Sequence, residues 1–385
     1  MVMSSASPIS VPFFSGAASM RADMPLLEPR LRQIAAAGQF VDGDEIRQLE
    51  ADLSSYIGAL HTVVVGSGTD ALALMLTAAG IGPGDEVVVP AYTFFATVSS
   101  VLHVGADPVM VDVLPGSYGL DPDRVAEVIG PRTRAILPVH LFCQTCDIVS
   151  LREIAVTHGL LLLEDSAEAI GMRVDGVHAG LLGLAGVLSF FPTKTLGALG
   201  DGGAVITDDQ TVASRVRRLR CHGWDEGSRH YLAGGRSSRA DEIQAAILRS
   251  RLWHLDDDIA RRAELACRYT VSLADLEPAV RTPYLGAAKR QSNLVWYVYL
   301  IETSRRDELA EFLAANGVGT EIYYPRPLPA QPCLAGLPGA RHPVPVAATA
   351  SHRALALPLY PDMSDAQVDR VCALVRDFHA GERRS

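Results

Sequence analysis

Lysine is almost absent from this sequence. Of its 34 lysine and arginine residues, only Lys194 and Lys289 are lysine. Arginine can replace lysine as a surface charge, but its guanidinium stays protonated and cannot form an imine with an aldehyde. A lysine retained in such a chain is therefore a candidate for amine chemistry. The alternative is an ordinary loop lysine, and Lys194 considered alone leaves both interpretations open.

A positive net charge is also missing. The formal net charge is −10 at pH 7, which argues against a nucleic-acid-binding protein, because such proteins neutralise phosphates with basic groups. An anionic ligand must therefore bind a local cluster of arginines and backbone amides. The sequence predicts no nucleic-acid partner.

Cysteine and long apolar runs are scarce. Six cysteines in 385 residues do not make a disulfide framework, and the pair Cys143 and Cys146 has redox or zinc spacing without a second pair, so we expect no metal site. No run approaches 18 apolar residues, and the first twenty residues lack the pattern of a signal peptide. These features predict a cytoplasmic protein that neither spans nor binds a membrane.

The first two thirds of the chain alternate short β-branched runs with helical stretches. This alternation predicts an α/β fold with a mainly parallel sheet flanked by helices. We expect strands at residues 62–65, 86–89, 108–113, 135–139, 160–163, 187–191 and 204–207. Helices are expected at 26–37 and 44–57, and from near Asp70, Phe95, Pro122, Asp147 and Gln210.

The remainder predicts a smaller α+β domain. A long connecting helix is expected from Asp241 through Glu264, followed by strands at 293–301 and 319–324 and helices at 305–316 and 365–378. The predicted organisation is an N-terminal arm at 1–20, a large cofactor-binding domain at 21–255 and a small C-terminal domain at 256–385.

Polar residues follow several of the predicted strands. Gly68 and Thr69 open a helix, where backbone N–H groups and the helix dipole can face an anion. Asp165 lies at the carboxyl edge of a strand, where functional side chains of parallel sheets collect. Each position has an ordinary alternative, because serine, threonine and aspartate also cap helices.

Five stretches together carry a family resemblance. They are SFFPTK with GDGG from Ser189 to Gly203, SGTDAL from Ser67, PAYTFFAT from Pro90, EDSAEA from Glu164 and RADEIQAA from Arg239. Taken in their order along the chain, these stretches resemble the DegT/StrS family of aminotransferases, which act on keto sugars with pyridoxal phosphate. The resemblance spans residues 40–375 and implies a fold-type-I aminotransferase.

The resemblance assigns roles around the cofactor ring. Lys194 would form the imine with pyridoxal phosphate and then, as the free amine, move a proton during conversion to pyridoxamine phosphate. Asp165 would keep the pyridine nitrogen protonated, and Phe94 would stack on the ring. Related dehydratases have histidine in place of the lysine, so Lys194 favours amino transfer.

Further positions would bind the cofactor's oxygens. Gly68, Thr69 and Ser189 would contact the phosphate. Glu168 would lie near the phenolic oxygen, where relatives often have glutamine. Glutamate there is found in some relatives that aminate C4 of the sugar, whereas the segment around Arg239 resembles C3-aminating relatives, so the position stays open.

Two positions depart from the family pattern. Ser237 stands where relatives usually carry an asparagine that reaches the partner's cofactor phosphate across a dimer interface. Serine has a shorter reach, and Arg236 could supply that contact instead. Pro329 stands where histidine is common, so the acceptor could differ. A homodimer with shared active sites is still implied.

The resulting prediction is an aminotransferase that moves an amino group from glutamate or glutamine to a keto sugar. The expected acceptor is a nucleotide-diphosphate-linked keto-deoxy sugar of antibiotic or polysaccharide biosynthesis. Amination of a cyclitol ketone such as an inosose is the alternative within enzymes. A cofactor-binding regulator without turnover is the alternative from another class, because fold alone does not prove function.

Overall fold

The structure is a computed structural model that describes residues 10–285 and 292–380. Its α-helices are α1 (Ala17–Ala37), α2 (Asp44–Ile57), α3 (Gly68–Ala78), α4 (Phe95–His103), α5 (Pro122–Val128), α6 (Ile148–His158), α7 (Gln210–Leu219), α8 (Glu242–Leu252), α9 (Leu255–Leu273), α10 (Arg306–Ala315), α11 (Pro345–Arg353) and α12 (Asp365–Ala380). Its strands are β1 (His61–Val65), β2 (Glu86–Pro90), β3 (Asp107–Val111), β4 (Thr133–Ile136), β5 (Leu161–Asp165), β6 (Arg173–Val174), β7 (Val177–His178), β8 (Ala185–Ser189), β9 (Gly203–Thr207), β10 (Trp224–Asp225), β11 (His230–Tyr231), β12 (Tyr299–Glu302) and β13 (Ala354–Leu357).

One seven-stranded sheet organises the larger part of the chain. Its strand order is β1-β9-β8-β5-β4-β2-β3. Strands β8, β5, β4, β2 and β3 are parallel, while β9 runs antiparallel to both β8 and β1. The α/β fold with a mainly parallel sheet, predicted from the alternation of runs, is confirmed.

The sheet is buried on both faces. Because successive side chains of a strand point to opposite faces, Val87 and Val89 pack in one apolar cluster with α3 and α4, whereas Val88 packs in another with α6. A third cluster joins Val64 of β1 to α2 and α8. Burial on both faces explains why these strands read as continuous apolar runs rather than as alternating ones.

The sheet direction brings several polar residues together. Strands β1, β2, β5 and β8 all point the same way, so their carboxyl ends share one edge. Ser67 follows β1 and caps α3, its hydroxyl oxygen accepting a hydrogen bond from the amide of Asp70 at 3.1 Å. Asp165 and Ser189 are the last residues of β5 and β8.

The second part of the chain has its own apolar core. Strands β12 and β13 pair antiparallel, and helices α9, α10 and α12 pack around them. Val11, near the start of the described chain, is buried in the same core and pairs with Val318. The domain boundaries at residues 20 and 255 stay predictions.

Some predicted elements were wrong in extent. Helix α1 begins at Ala17 rather than at residue 26, so part of the expected arm is helical. The connecting helix from Asp241 is two helices, α8 and α9, because the chain breaks at Trp253 and His254. Residues 1–9 of the arm and Lys289 lie outside the described residues.

Two predicted strands of the C-terminal part are shorter or missing. β12 begins at Tyr299, because residues before it bond to a loop instead of to a strand: the amides of Val295 and Tyr297 donate to the carbonyls of Cys143 and Phe142. In 319–324 only Glu321 pairs with a strand residue. Over the described ranges, no helix combines the length and apolar character needed to cross a bilayer.

Candidate active site

Lys194 lies in a loop beyond the carboxyl end of β8. Its side chain is 15 % exposed, and its Nζ lies 3.0 Å from Oε1 of Glu168. The loop is fixed by a hydrogen bond from the Lys194 amide to the carbonyl of Phe191 at 2.8 Å. Burial lowers the pKa of Lys194, but Glu168, Tyr297 and Asp165 together raise it by more, so the net pKa is raised.

Glu168 is buried and held at both oxygens. Its second carboxylate oxygen, Oε2, accepts a hydrogen bond from the backbone amide of Phe142 at 2.8 Å. Phe142 has a φ of 65°, a left-handed conformation that is uncommon outside glycine. The carboxylate is therefore fixed by backbone as well as by the lysine.

Asp165 lies at the end of β5 and is 4 % exposed. One carboxylate oxygen accepts a hydrogen bond from the Thr97 hydroxyl at 2.8 Å and the other from the Ala167 amide at 3.2 Å. Burial raises the pKa of Asp165, because its charged form loses water. A cationic N–H placed against this carboxylate would offset the cost of burying it.

The first turn of α3 approaches the end of β8 closely. A Cβ on Gly68 would lie 2.9 Å from the Cβ of Ser189, so only glycine fits there. Likewise a Cβ on Gly203 would lie 2.5 Å from the carbonyl carbon of Ser67. These glycines let the helix N-terminus and the Ser189 hydroxyl meet at one point, a geometry suited to a phosphate.

Aromatic residues form the outer wall. Phe94 is 59 % exposed and its ring lies 6.3 Å from that of Tyr324. The ring of Tyr324 stacks on that of Phe142 at 6.4 Å. The hydroxyl of Tyr92 donates to the carbonyl of Tyr323 and accepts from the amide of Tyr324. This wall links the sheet to the C-terminal part of the chain.

One cavity of about 540 Å³ connects these groups. The predicted site residues that line it are Gly68, Thr69, Phe94, Asp165, Glu168, Ser189 and Lys194. A buried carboxylate, an amine and a glycine-lined helix terminus within one cavity of this size fit a planar phosphorylated aldehyde. The residues present therefore fit pyridoxal phosphate, and their roles toward it stay proposals.

Ser237 is the predicted residue that the structure places elsewhere. It is exposed, pairs with Cys221 and lies outside the described lining of the cavity. Its neighbours contact the helix instead: Arg236 and Ser238 bind the two carboxylate oxygens of Asp70 at 3.0 and 2.7 Å. Contact from Ser237 to a partner's site stays a prediction.

Sequence reasoning missed several residues of the site. Thr97 lies inside a motif that was recognised, yet its bond to Asp165 depends on how α4 faces β5. Tyr297 lines the cavity with its ring centroid 4.1 Å from Nζ of Lys194. Nothing in the spacing of its segment indicates this contact. Pro329 lies in a short 3₁₀ helix, Leu328–Ala330, outside the described lining of the cavity.

Comparisons with known proteins agree with this geometry. The model of the DegT/DnrJ/EryC1/StrS aminotransferase family matches residues 26–376. The chain is 39 % identical, over 96 % of both chains, to dTDP-3-amino-3,4,6-trideoxy-alpha-D-glucose transaminase of Streptomyces venezuelae. It is 40 % identical to the pleiotropic regulatory protein of Geobacillus stearothermophilus, covering 91 % of this chain and 93 % of that one.

A solved structure shows the same similarity. The crystal structure of S. venezuelae DesV in complex with a ketimine intermediate matches with a TM-score of 0.90 at 39 % identity. The match covers 96 % of this chain and 98 % of that chain. The similarity therefore extends over both parts of the fold.

Replacing Thr97 by valine should weaken binding of pyridoxal phosphate about tenfold or more. The change keeps the volume but removes a hydrogen bond to a buried carboxylate, which is typically worth about 1.5–3 kcal/mol. Thr97→Ser keeps the hydroxyl and serves as the control. Absorbance titration with the cofactor measures both affinities, and wild-type affinity in the valine variant would show that Thr97 does not support Asp165.

Proposed function

Because the chain belongs to the DegT/DnrJ/EryC1/StrS aminotransferase family, we propose that it transfers an amino group from glutamate or glutamine to a keto sugar. The proposed acceptor is a keto-deoxy sugar carried on a nucleoside diphosphate. One observation carries the proposal: Lys194, Glu168 and Asp165 meet in one cavity beside a glycine-lined helix terminus. That arrangement provides a reactive amine, a carboxylate for a ring nitrogen and a phosphate site.

Aminotransferases of this family use pyridoxal phosphate. When bound, this cofactor supplies an electron sink for a carbanion at the carbon that loses or gains the amino group. We propose that the Asp165 carboxylate accepts a hydrogen bond from the protonated ring nitrogen. Thr97 and the Ala167 amide keep that carboxylate oriented.

Lys194 has two proposed tasks. Its Nζ binds the cofactor aldehyde at rest, and as a free amine it takes the proton from Cα of the amino donor. Glu168, 3.0 Å from Nζ, holds the ammonium while the proton is on the lysine. We propose that Phe94, which lines the same cavity, stacks on the cofactor ring.

The ketone position proposed for the acceptor is C3. The S. venezuelae relative is named for a 3-amino product, and the segment around Arg239 resembles C3-aminating relatives. A cyclitol ketone is the competing acceptor within this chemistry. The keto sugar carries a nucleotide and the cyclitol does not. Offering each ketone to the enzyme in turn therefore distinguishes the two acceptors.

A regulatory role is the competing class of function, since one relative is named a regulatory protein. A protein that only binds cofactor has no need for a base at the donor Cα. Here the amine is buried, paired and placed within the same cavity as Asp165. We therefore propose turnover.

We propose a homodimer with shared active sites. Ser237 lies outside its own chain's cavity, next to the hairpin β10–β11, whose Tyr231 is 69 % exposed and is followed by Leu232 at 54 %. A second copy of the chain would cover these apolar side chains. We also propose a cytoplasmic location, which the six free cysteines support.

Labelled amino transfer tests the function. With α-¹⁵N-glutamate or α-¹⁵N-glutamine as donor and added pyridoxal phosphate, we expect ¹⁵N in the amino sugar formed from a nucleotide-linked 3-keto-deoxy sugar and little in the product of an inosose, measured by mass spectrometry. Lys194→Ala should remove transfer and the visible absorbance of bound cofactor. Absence of transfer to any offered ketone by wild-type protein that holds cofactor would favour the regulator, while transfer to the inosose alone would favour the cyclitol alternative.

Sedimentation of the purified protein tests the dimer. We expect a mass near twice the 41.2 kDa of one chain. Tyr231→Glu, which places a charge on the exposed hairpin, should shift the population toward monomer. Glu226→Asp, a charge-preserving change in the same hairpin, is the control. A wild-type protein that stays monomeric at micromolar concentration would contradict shared sites.

A further inference from the structure

Tyr297 places an aromatic ring face against the amine of Lys194. Its ring centroid lies 4.1 Å from Nζ, and the side chain is 5 % exposed. Nζ therefore has the Glu168 carboxylate at 3.0 Å as well as a π face in contact. An ammonium is attracted to the negative face of an aromatic ring, more strongly where water is excluded. A neutral amine gains far less from the same ring.

The ring is held from several directions. The Tyr297 hydroxyl lies 3.1 Å from the hydroxyl of Thr193, the residue before the lysine. The amide of Tyr297 donates to the carbonyl of Phe142 at 2.8 Å. The same Phe142 donates its own amide to Glu168. The two groups that contact Nζ are thus fixed by one short loop.

A buried arginine ties this ring to the second core. Nη1 of Arg262, on α9, donates to the carbonyl of Tyr297 at 3.1 Å and to that of Leu359 at 2.8 Å. Arg262 is 2 % exposed, so these carbonyls accept the hydrogen bonds that its guanidinium would otherwise donate to water. The height of the ring over Lys194 consequently depends on how the C-terminal part packs on the sheet.

We propose that Tyr297 is a positioning residue for the catalytic amine, holding the Lys194 ammonium over its ring whenever the lysine is not bound to cofactor. The ring keeps the amine in the cavity and makes it more basic. Backbone hydrogen bonds of Tyr297 to Phe142 and Arg262 keep the ring facing the lysine. This inference rests on the proposed role of Lys194.

Other groups around the amine must be held constant in a test. The titratable groups that face Lys194 are Glu168, Asp165, Tyr297 and, behind them, Tyr323 and Tyr324. Substitution at position 297 keeps both carboxylates, Glu168 and Asp165, whereas Tyr323 loses its interaction with the Tyr297 side chain. A ring-specific effect is therefore separable from the effect of the carboxylates.

The scarcity of lysine makes the amine directly measurable. In full-length protein freed of cofactor, reductive methylation with labelled formaldehyde and cyanoborohydride reports the free amine of each lysine. Peptide mass spectrometry then compares the extent of methylation at Lys194 with that at Lys289 in the same molecule. Between pH 7.5 and 9.5 the rate at Lys194 follows the fraction that is unprotonated.

Tyr297→Met removes the ring while filling similar space with a flexible apolar chain. We expect it to speed methylation of Lys194 about threefold to tenfold relative to Lys289, because loss of the ring lowers the pKa of Lys194 by about half to one unit. Tyr297→Phe keeps the ring and should stay within about twofold of wild type. Tyr297→Leu repeats the comparison if the methionine variant does not fold.

A methionine or leucine variant that is methylated at the wild-type rate would overturn the proposal. So would a phenylalanine variant that behaves like the methionine variant, because the hydroxyl rather than the ring would then hold the amine. The measurement uses neither cofactor nor substrate. Its result is thus independent of labelled amino transfer, and a failure of the proposed function is distinguishable from a failure of this inference.

Discussion

The buried pair between Lys194 and Glu168 is the interaction on which the site depends. Burying an ammonium and a carboxylate is costly unless each finds a partner and the remaining oxygens are hydrogen-bonded. Here the carboxylate meets the lysine with one oxygen and the Phe142 amide with the other. The backbone of Phe142, which donates that amide, has the left-handed conformation.

The same loop also connects the two parts of the fold. The Phe142 carbonyl in this loop accepts a hydrogen bond from the Tyr297 amide, and the Phe142 ring packs on that of Tyr324. From the other side, Arg262 donates a hydrogen bond to the Tyr297 carbonyl. The cavity is therefore bounded by the sheet edge on one side and by the second core on the other. A change in the packing of either part would move the groups around the lysine amine.

Much of the fold followed from the sequence because parallel strands impose strong local patterns. Lys194, Asp165 and Gly68 could be placed together, since strands of one direction end at one edge of a sheet. The start of α1 could not be placed, because this helix continues through Pro25 and Pro29. Residues 319–324 have the composition of a strand, but Tyr323 and Tyr324 bind Tyr92 instead.

The residues that sequence reasoning missed share one property: their contacts depend on tertiary packing. Thr97 supports Asp165 only because the first turn of α4 lies at the sheet edge where β5 ends. Tyr297 reaches Lys194 only because its segment bonds to a loop rather than to a strand. Ser237 was expected at a phosphate, and within its own chain it lies on the surface. Family motifs identify which residues carry chemistry more readily than which residues hold them in place.

The central claim is that Lys194 is the amine around which the site is built. Borohydride reduction of the purified protein with bound cofactor, followed by digestion and peptide mass spectrometry, tests it most directly. With two lysines in the chain, the answer is unambiguous. We predict the reduced cofactor on the peptide that contains Lys194. Attachment at Lys289, or bound cofactor that no reduction fixes to the chain, would contradict the account.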